Sequence, residues 1–159
     1  MISSSKSNNS PKIRFGIVGT NFVSDYIVKA AKEDARFELT AVYSRRQDTA
    51  NDFAHKHQIA HTFTSLDAML SSGLVDAVYI ASPNSLHASQ SIRCMEYGKH
   101  VLCEKPLASN AREAMEMVVA SRKYKVCLME AMKPTLTPNF IQLMKSVELV
   151  GKIRYYFSA

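Results

Sequence analysis

Residues 13–24, IRFGIVGTNFVS, set the architecture of the whole domain. IRFGIV is a short apolar run, and Gly19, Thr20 and Asn21 stop it, so it reads as a strand and a turn. Behind the turn, Phe22, Val23, Tyr26, Ile27, Ala30 and Ala31 share one broad helical face that runs to Asp34. The same order then repeats. FELTAVYS (37–44) is a strand, and Gln47 to His57 is a helix with Ala50, Phe53 and Ala54 inward. A short strand at 60–63 leads through Ser65 to a short helix, LDAML, ended by Gly73. VDAVYIA (75–81) is a strand, and Asn84 or Ser85 caps a helix that runs to Tyr97 and closes at Gly98. HVLC (100–103), a helix over 108–124 with Ala111, Ala114, Met115 and Val118 on one face, and VCLME (126–130) complete the series. These strands are continuously apolar rather than alternating. Strand–helix alternation with such strands predicts a doubly wound α/β domain, a parallel sheet covered on both faces.

After residue 130 the pattern changes. Pro138 opens a helix through about Val150, with Phe140, Ile141, Leu143, Met144 and Val147 as its apolar side. Gly151 ends it, and KIRYYFSA reads as an alternating strand through Ile153, Tyr155 and Phe157. The expected organisation is a disordered leader at 1–11, a nucleotide-binding domain at 12–131, and at 132–159 the first helix and strand of a second α+β domain otherwise absent from the chain.

The composition excludes several classes. Of 159 residues, 47% are hydrophobic and 21% charged, which is globular. No apolar run approaches the roughly 18 residues that span a bilayer. MISSSKSNNSPK has no apolar segment of the secretory kind. Cys94, Cys103 and Cys127 form no disulfide framework, and Cys103 and Cys127 fall in strand-like runs as small core residues. A reduced, cytoplasmic protein is expected, without membrane partner. The five histidines show no metal spacing, so no metal is expected. The net charge of +6 comes from scattered Lys and Arg without an aromatic–basic ladder, so no nucleic acid is expected.

In a doubly wound sheet, ligands bind at the carboxyl ends of the strands. The first turn is G-x-N-x-x-S: Gly19, Asn21 and Ser24. A dinucleotide fingerprint has glycine at all three positions. Gly19 keeps the tight turn, and Ser24 is small enough for close helix–strand packing. Asn21 tolerates positive φ, and its amide can donate to phosphate. The second strand ends in Tyr43-Ser44-Arg45-Arg46, where NAD binders place a carboxylate for the ribose. A hydroxyl and two guanidinium groups suit a 2′-phosphate instead, which points to NADP, with NAD as the alternative. A plain turn and two solvent-facing arginines are the structural alternatives. Ser82, Pro83, Asn84 and His87 follow the fourth strand at the same edge. There Pro83 holds Ser82 extended, and Asn84 and His87 also have plain structural readings. The fifth strand ends in Glu104-Lys105-Pro106, an ion pair and a proline where a buried strand would not place them by default.

AVYSRR, SPNSLH, YGKHVLCEKPLA (97–108) and LMEAM (128–132) together resemble the glucose–fructose oxidoreductase/inositol dehydrogenase/MocA family, over roughly residues 12–159. The resemblance implies a Rossmann domain that binds NAD or NADP, and a second α+β domain that holds a sugar, cyclitol or related diol. It implies hydride transfer between nicotinamide and a carbinol carbon. It assigns catalysis to Lys105, which hydrogen-bonds the reacting oxygen, and to Glu104, which orients that lysine or meets the nicotinamide ribose. Cofactor contacts are expected at Gly19, Thr20, Asn21, Phe22, Ser44, Arg45, Arg46, Ser82, Pro83, Asn84, His87, Glu104 and Lys105. Pro106 stiffens the loop, and its peptide bond is a candidate for cis geometry. The expected parent is a homo-oligomer acting on a small, sugar-like substrate, and this chain alone is expected to be inactive. A non-catalytic NAD(P)-binding sensor is the alternative reading.

Overall fold

A computed structural model describes residues 11–152 and residue 154. Six strands form one sheet: β1 (Ile13–Val18), β2 (Phe37–Tyr43), β3 (His61–Phe63), β4 (Ala77–Ile80), β5 (His100–Cys103) and β6 (Leu128–Glu130). All their pairings are parallel, in the order β3-β2-β1-β4-β5-β6. The connecting helices are α1 (Ser24–Glu33), α2 (Gln47–His57), α3 (Leu66–Ser71), α4 (His87–Glu96) and α5 (Ala111–Tyr124). A further helix, α6 (Pro138–Val150), follows the sheet. The predicted doubly wound α/β fold is what the chain adopts.

Two buried clusters explain the unbroken apolar strands. Consecutive strand residues point to opposite faces. Val18, Ala41, Val78 and Ile80 join Met69, Met95 and Met117 on one face. Their neighbours Ile17, Val42 and Tyr79 join Ile27, Val28 and Phe53 on the other. Each central strand is therefore apolar in both parities, as a sheet covered on two sides requires.

Several local expectations are corrected. Phe22 precedes α1 and is 77% exposed, and Tyr26 is half exposed, while Ser24, Ile27 and Val28 face inward. The helix begins two residues later than its apolar run, because the turn residues 21–23 close their own bonds first, Ser24 N to Asn21 O and Asp25 N to Phe22 O. Neither Asn84 nor Ser85 caps α4. A short 3-10 turn over Asn84–Leu86 intervenes and makes no side-chain cap. α5 starts at Ala111, where Asn110 caps it by accepting from Glu113 N at 3.0 Å. Its inward residues are Met117 and Ala120, while Met115 is 63% exposed. α6 takes the predicted span, but Ile141, Leu143 and Met144 are exposed. The strand expected at 152–159 and the leader expected at 1–11 lie outside the described residues, apart from Pro11, Lys152 and Arg154 at their margins.

Cys127 is exposed, against expectation, because it lies before β6 and not within it. Cys94 and Cys103 are buried, and burial pushes their thiols up to about 12 and about 11. Thiolate is the reactive form. Iodoacetamide on the native protein is therefore expected to alkylate Cys127 and leave the other two intact, read by peptide mass. Modification of Cys94 at the rate of Cys127 would contradict this packing.

Candidate active site

The order of the sheet creates the site. The chain leaves β1 toward β2 and β3, then returns to β4 on the other side of β1. The loops after β1 and β4 diverge at that switch point and leave a crevice at the carboxyl edge. Backbone bonds carry the ladder past the strand ends: Gly19 N to Tyr43 O, Ala81 N to Val18 O, and Glu104 N to Ile80 O, at 3.1, 2.8 and 2.8 Å. The crevice therefore has a fixed floor.

The first turn is pinned to β4. Gly19 has φ +102°, and a Cβ there would stand 2.6 Å from Ala81 O. Only glycine fits, on both counts. Ser24 Oγ donates to Gly19 O at 2.8 Å and is fully buried. Asn21 does not take positive φ. Its side chain makes two bonds, Nδ2 donating to Ala81 O at 2.7 Å and Oδ1 accepting from Val23 N at 2.8 Å. This amide ties the turn to the end of β4 through one N–H, and its second N–H has no partner among the described residues. Among the described residues, the backbone amides of Thr20, Asn21 and Phe22 find no acceptor. Three unpaired donors before a helix fit an anionic group.

Two clefts share this floor. A cleft of about 310 Å³ is lined by Gly19, Thr20 and Asn21 on one side, Ser44 and Arg45 on another, and Ser82 and Pro83 on a third. A neighbouring cleft of about 410 Å³ brings Phe22, Asn84, His87, Glu104, Lys105 and Lys133 together. Asn21 and Ser82 line both. Arg46 lines neither. Its Nε donates to Asp48 Oδ1 at 3.0 Å and its Nη2 pairs with Asp48 Oδ2, which holds the Asp48 carboxyl below its ordinary range. The adjacent arginines therefore separate: Arg45 faces the cleft and Arg46 is turned to its own helix. Ser44 Oγ is 2.7 Å from Thr49 Oγ1, a contact that nothing in the sequence pattern announces.

Glu104 and Lys105 are not an ion pair. Glu104 is only 6% exposed, and its Oε1 accepts from the Tyr79 hydroxyl. Its Oε2 accepts from Lys105 N at 3.3 Å. Burial, and then the bond to Glu104, hold the Tyr79 hydroxyl far above its ordinary pKa, so it stays a donor. Among the described residues, the Lys105 ammonium makes no ion pair. The Lys105–Pro106 peptide is cis, the geometry for which the loop sequence made it a candidate. The loop is held twice more. Glu130 Oε1 accepts from Leu107 N at 2.7 Å, and His87 Nδ1 lies 2.8 Å from Pro106 O. His87 Nε2 lies 3.0 Å from Ser82 O, so a ring only 1% exposed bridges the loops after β4 and β5. Both partners are carbonyl oxygens, so in either neutral tautomer the His87 ring donates to one of them and packs against the other, under the crevice, where it positions the loops. Lys133 stacks its ammonium over Tyr26, 3.5 Å from the ring centre, beside the same cleft. Tyr79, Glu130 and Lys133 escape sequence reasoning because each meets the site from a different element.

The fold and this crevice define a class: a dinucleotide-binding α/β domain whose cleft ends on an unpaired lysine. The model of an oxidoreductase family with an NAD-binding Rossmann fold, Gfo/Idh/MocA, matches residues 13–132. The chain belongs to that family. It is 50% identical over 144 residues to the scyllo-inositol 2-dehydrogenase (NADP(+)) IolU of Bacillus subtilis (strain 168), covering 91% of this chain and 44% of that protein. Among solved structures, it resembles the WlbA dehydrogenase of Chromobacterium violaceum in complex with NADH and UDP-GlcNAcA, at TM-score 0.82 and 29% identity, covering 89% of this chain and 41% of that one. It also resembles KijD10, a 3-ketoreductase of Actinomadura kijaniata in complex with NADP and TDP-benzene, at TM-score 0.81 and 30% identity, covering 87% and 43%. The chain thus spans less than half the length of these relatives. No helix among the described residues is long and apolar enough to cross a membrane, and no metal-ligand cluster occurs among them.

Two substitutions test this arrangement. Gly19→Ala is expected to destabilise the domain by about 1–3 kcal/mol in urea unfolding, from strain and the approach of Ala81. Tyr79→Phe leaves one oxygen of a buried carboxylate without its donor, and a loss of about 1–3 kcal/mol is expected. A Tyr79→Phe protein of unchanged midpoint would show that Glu104 does not depend on that hydroxyl.

Proposed function

We propose that this chain is the cofactor-binding part of an NADP-dependent oxidoreductase that moves hydride between nicotinamide and a sugar, cyclitol or related diol. The observation that carries the proposal is the unpaired Lys105 ammonium in one crevice with the Ser44–Arg45 wall. The residues fit a dinucleotide: three free amides for the pyrophosphate, Arg45 and Ser44 for a ribose phosphate, and orphaned polar atoms in the walls, Ser82 Oγ and Gln90 Oε1. When bound, nicotinamide supplies a carbon that accepts or gives hydride. Every other part falls to the chain. Lys105 Nζ donates to the reacting oxygen and stabilises the negative charge that develops there. Glu104 fixes the backbone from which Lys105 projects, through its contact with Lys105 N. Tyr79, Glu130 and His87 hold the loop so that the ammonium is aimed before substrate arrives.

NADP is favoured over NAD by the β2 edge. The 2′-phosphate meets a cation at Arg45 and no carboxylate among the residues lining that cleft. The substrate class is favoured by the names of the relatives, which include a scyllo-inositol dehydrogenase and a 3-ketoreductase. Residues 132–159 are read as the start of a second domain that completes the substrate pocket, a reading supported by the exposed apolar side of α6 and by the greater length of the relatives. On this reading the 159-residue chain binds cofactor but turns over little substrate.

The test is a thermal-shift titration with NADPH and NADH. Ligand at ~100 times its dissociation constant adds about 2.7 kcal/mol of stability. NADPH is expected to stabilise much more than NADH. Arg45→Ala is expected to weaken NADPH by roughly tenfold or more while sparing NADH, from loss of a charged hydrogen bond. Arg46→Ala is expected to change little. Equal shifts with both cofactors would sink the NADP assignment, and no shift with either would sink the cofactor reading for this chain.

A further inference from the structure

Far from the crevice, Met115 and Val119 stand one turn apart on α5 and are 63% and 56% exposed, so they form one apolar spot on its outer face. They line a groove of about 390 Å³ between α5 and α4, with Ile92 on the α4 side. The charges around the spot follow a pattern. Glu116 lies three residues before Val119, and Lys123 lies four residues after it. Glu116 and Lys123 are two turns apart and occupy the same flank of the helix. Neither is held firmly elsewhere. Glu116 has a loose contact with Arg112, 3.8 Å between two exposed side chains. Lys123 makes no ion pair among the described residues, and its ammonium rests 4.9 Å over the Tyr124 ring.

An apolar centre with opposite charges on either side of it along one flank is complementary to its own copy. Two α5 helices laid antiparallel, with a two-fold axis at Val119, bring Glu116 of each beside Lys123 of the other, once on each side of the axis. A parallel pair would set Glu116 beside Glu116 and Lys123 beside Lys123, which repels. Val119 meets Val119 at the axis. On the opposite flank, Met115 meets the Arg122 stem of the second copy, whose methylenes cover it while the guanidinium stays in water. We propose that the outer face of α5 docks a second copy of this chain, antiparallel about Val119. One helix pair is a small interface, so the dimer is weak, with a dissociation constant of roughly 10–1000 μM. The proposal is independent of the dinucleotide reading.

The experiment is sedimentation equilibrium of the whole chain, without nucleotide, from about 10 μM to about 1 mM. The average mass is expected to rise toward that of a dimer across this range. Val119→Glu sets two carboxylates face to face at the axis and is expected to stay monomeric throughout. Val119→Ser, expected to weaken association roughly tenfold, serves if the glutamate variant fails to fold by circular dichroism. Glu116→Lys and Lys123→Glu are each expected to weaken association roughly tenfold or more, because two attractions become two repulsions. The two reversals combined are expected to restore it. A parent chain that is monomeric at every concentration overturns the proposal. So does a dimer that Val119→Glu leaves intact, which would place the contact on another face. Single reversals that weaken the dimer without recovery in the combined variant overturn the antiparallel pairing.

Discussion

Everything at the carboxyl edge depends on how closely the first turn approaches the end of β4. The approach is so tight that a single methyl group at Gly19 would collide with the Ala81 carbonyl. Two side chains then lock it: Asn21 reaches forward to Ala81 O, and Ser24 reaches back to Gly19 O. With the turn drawn against β4, the amides of Thr20 to Phe22 are left without acceptors. The turn thus gains rigidity from side-chain bonds and leaves its backbone donors for a ligand. This explains how the turn tolerates asparagine where a dinucleotide fingerprint has glycine. The residue supplies its own amide as a strap, and no positive φ is needed.

The loop after β5 solves a different problem. A carboxylate at the end of a buried strand must be satisfied or neutralised. Glu104 is satisfied by Tyr79, one strand over, and by the next backbone amide. Because the carboxylate is spent on those donors, the neighbouring ammonium is not drawn into a local pair. Burying Glu104 is what leaves Lys105 available. The His87 bridge and the Glu130 contact hold the same loop from the α4 and β6 sides, so its position is over-determined.

The sheet is legible in the sequence because apolar runs separated by helical periods report a two-faced core directly. Gly19, Ser24 and the Glu104-Lys105-Pro106 loop are legible because short sequence spacing sets their geometry. What stays hidden joins residues far apart in the chain. Tyr79 reads as one more apolar strand residue until β4 and β5 are set side by side, 25 residues apart. Glu130 reads as a strand end until it is found under Leu107. The phase of α1 differs from its apolar pattern because Phe22 counts as apolar wherever it stands, whereas the turn's own bonds put it outside the helix. The division between Arg45 and Arg46 is a local matter. Asp48 stands in the first turn of α2, where a carboxylate is favoured, and it claims the arginine two residues before it.

That division also relocates the meaning of the positive charge. A net charge of +6 spread over a surface says little about partners. Here the cations near the crevice are sorted by whether a carboxylate already holds them. Arg46 is held by Asp48 and faces away. Arg45 stands on the wall of one cleft, and Lys105 and Lys133 on the wall of the other. The one buried carboxylate among them, Glu104, is turned to Tyr79. A ligand carrying phosphates therefore meets cations at both ends without first displacing an internal ion pair. Its binding energy goes into new contacts rather than into breaking old ones, which is the condition for a preorganised electrostatic site.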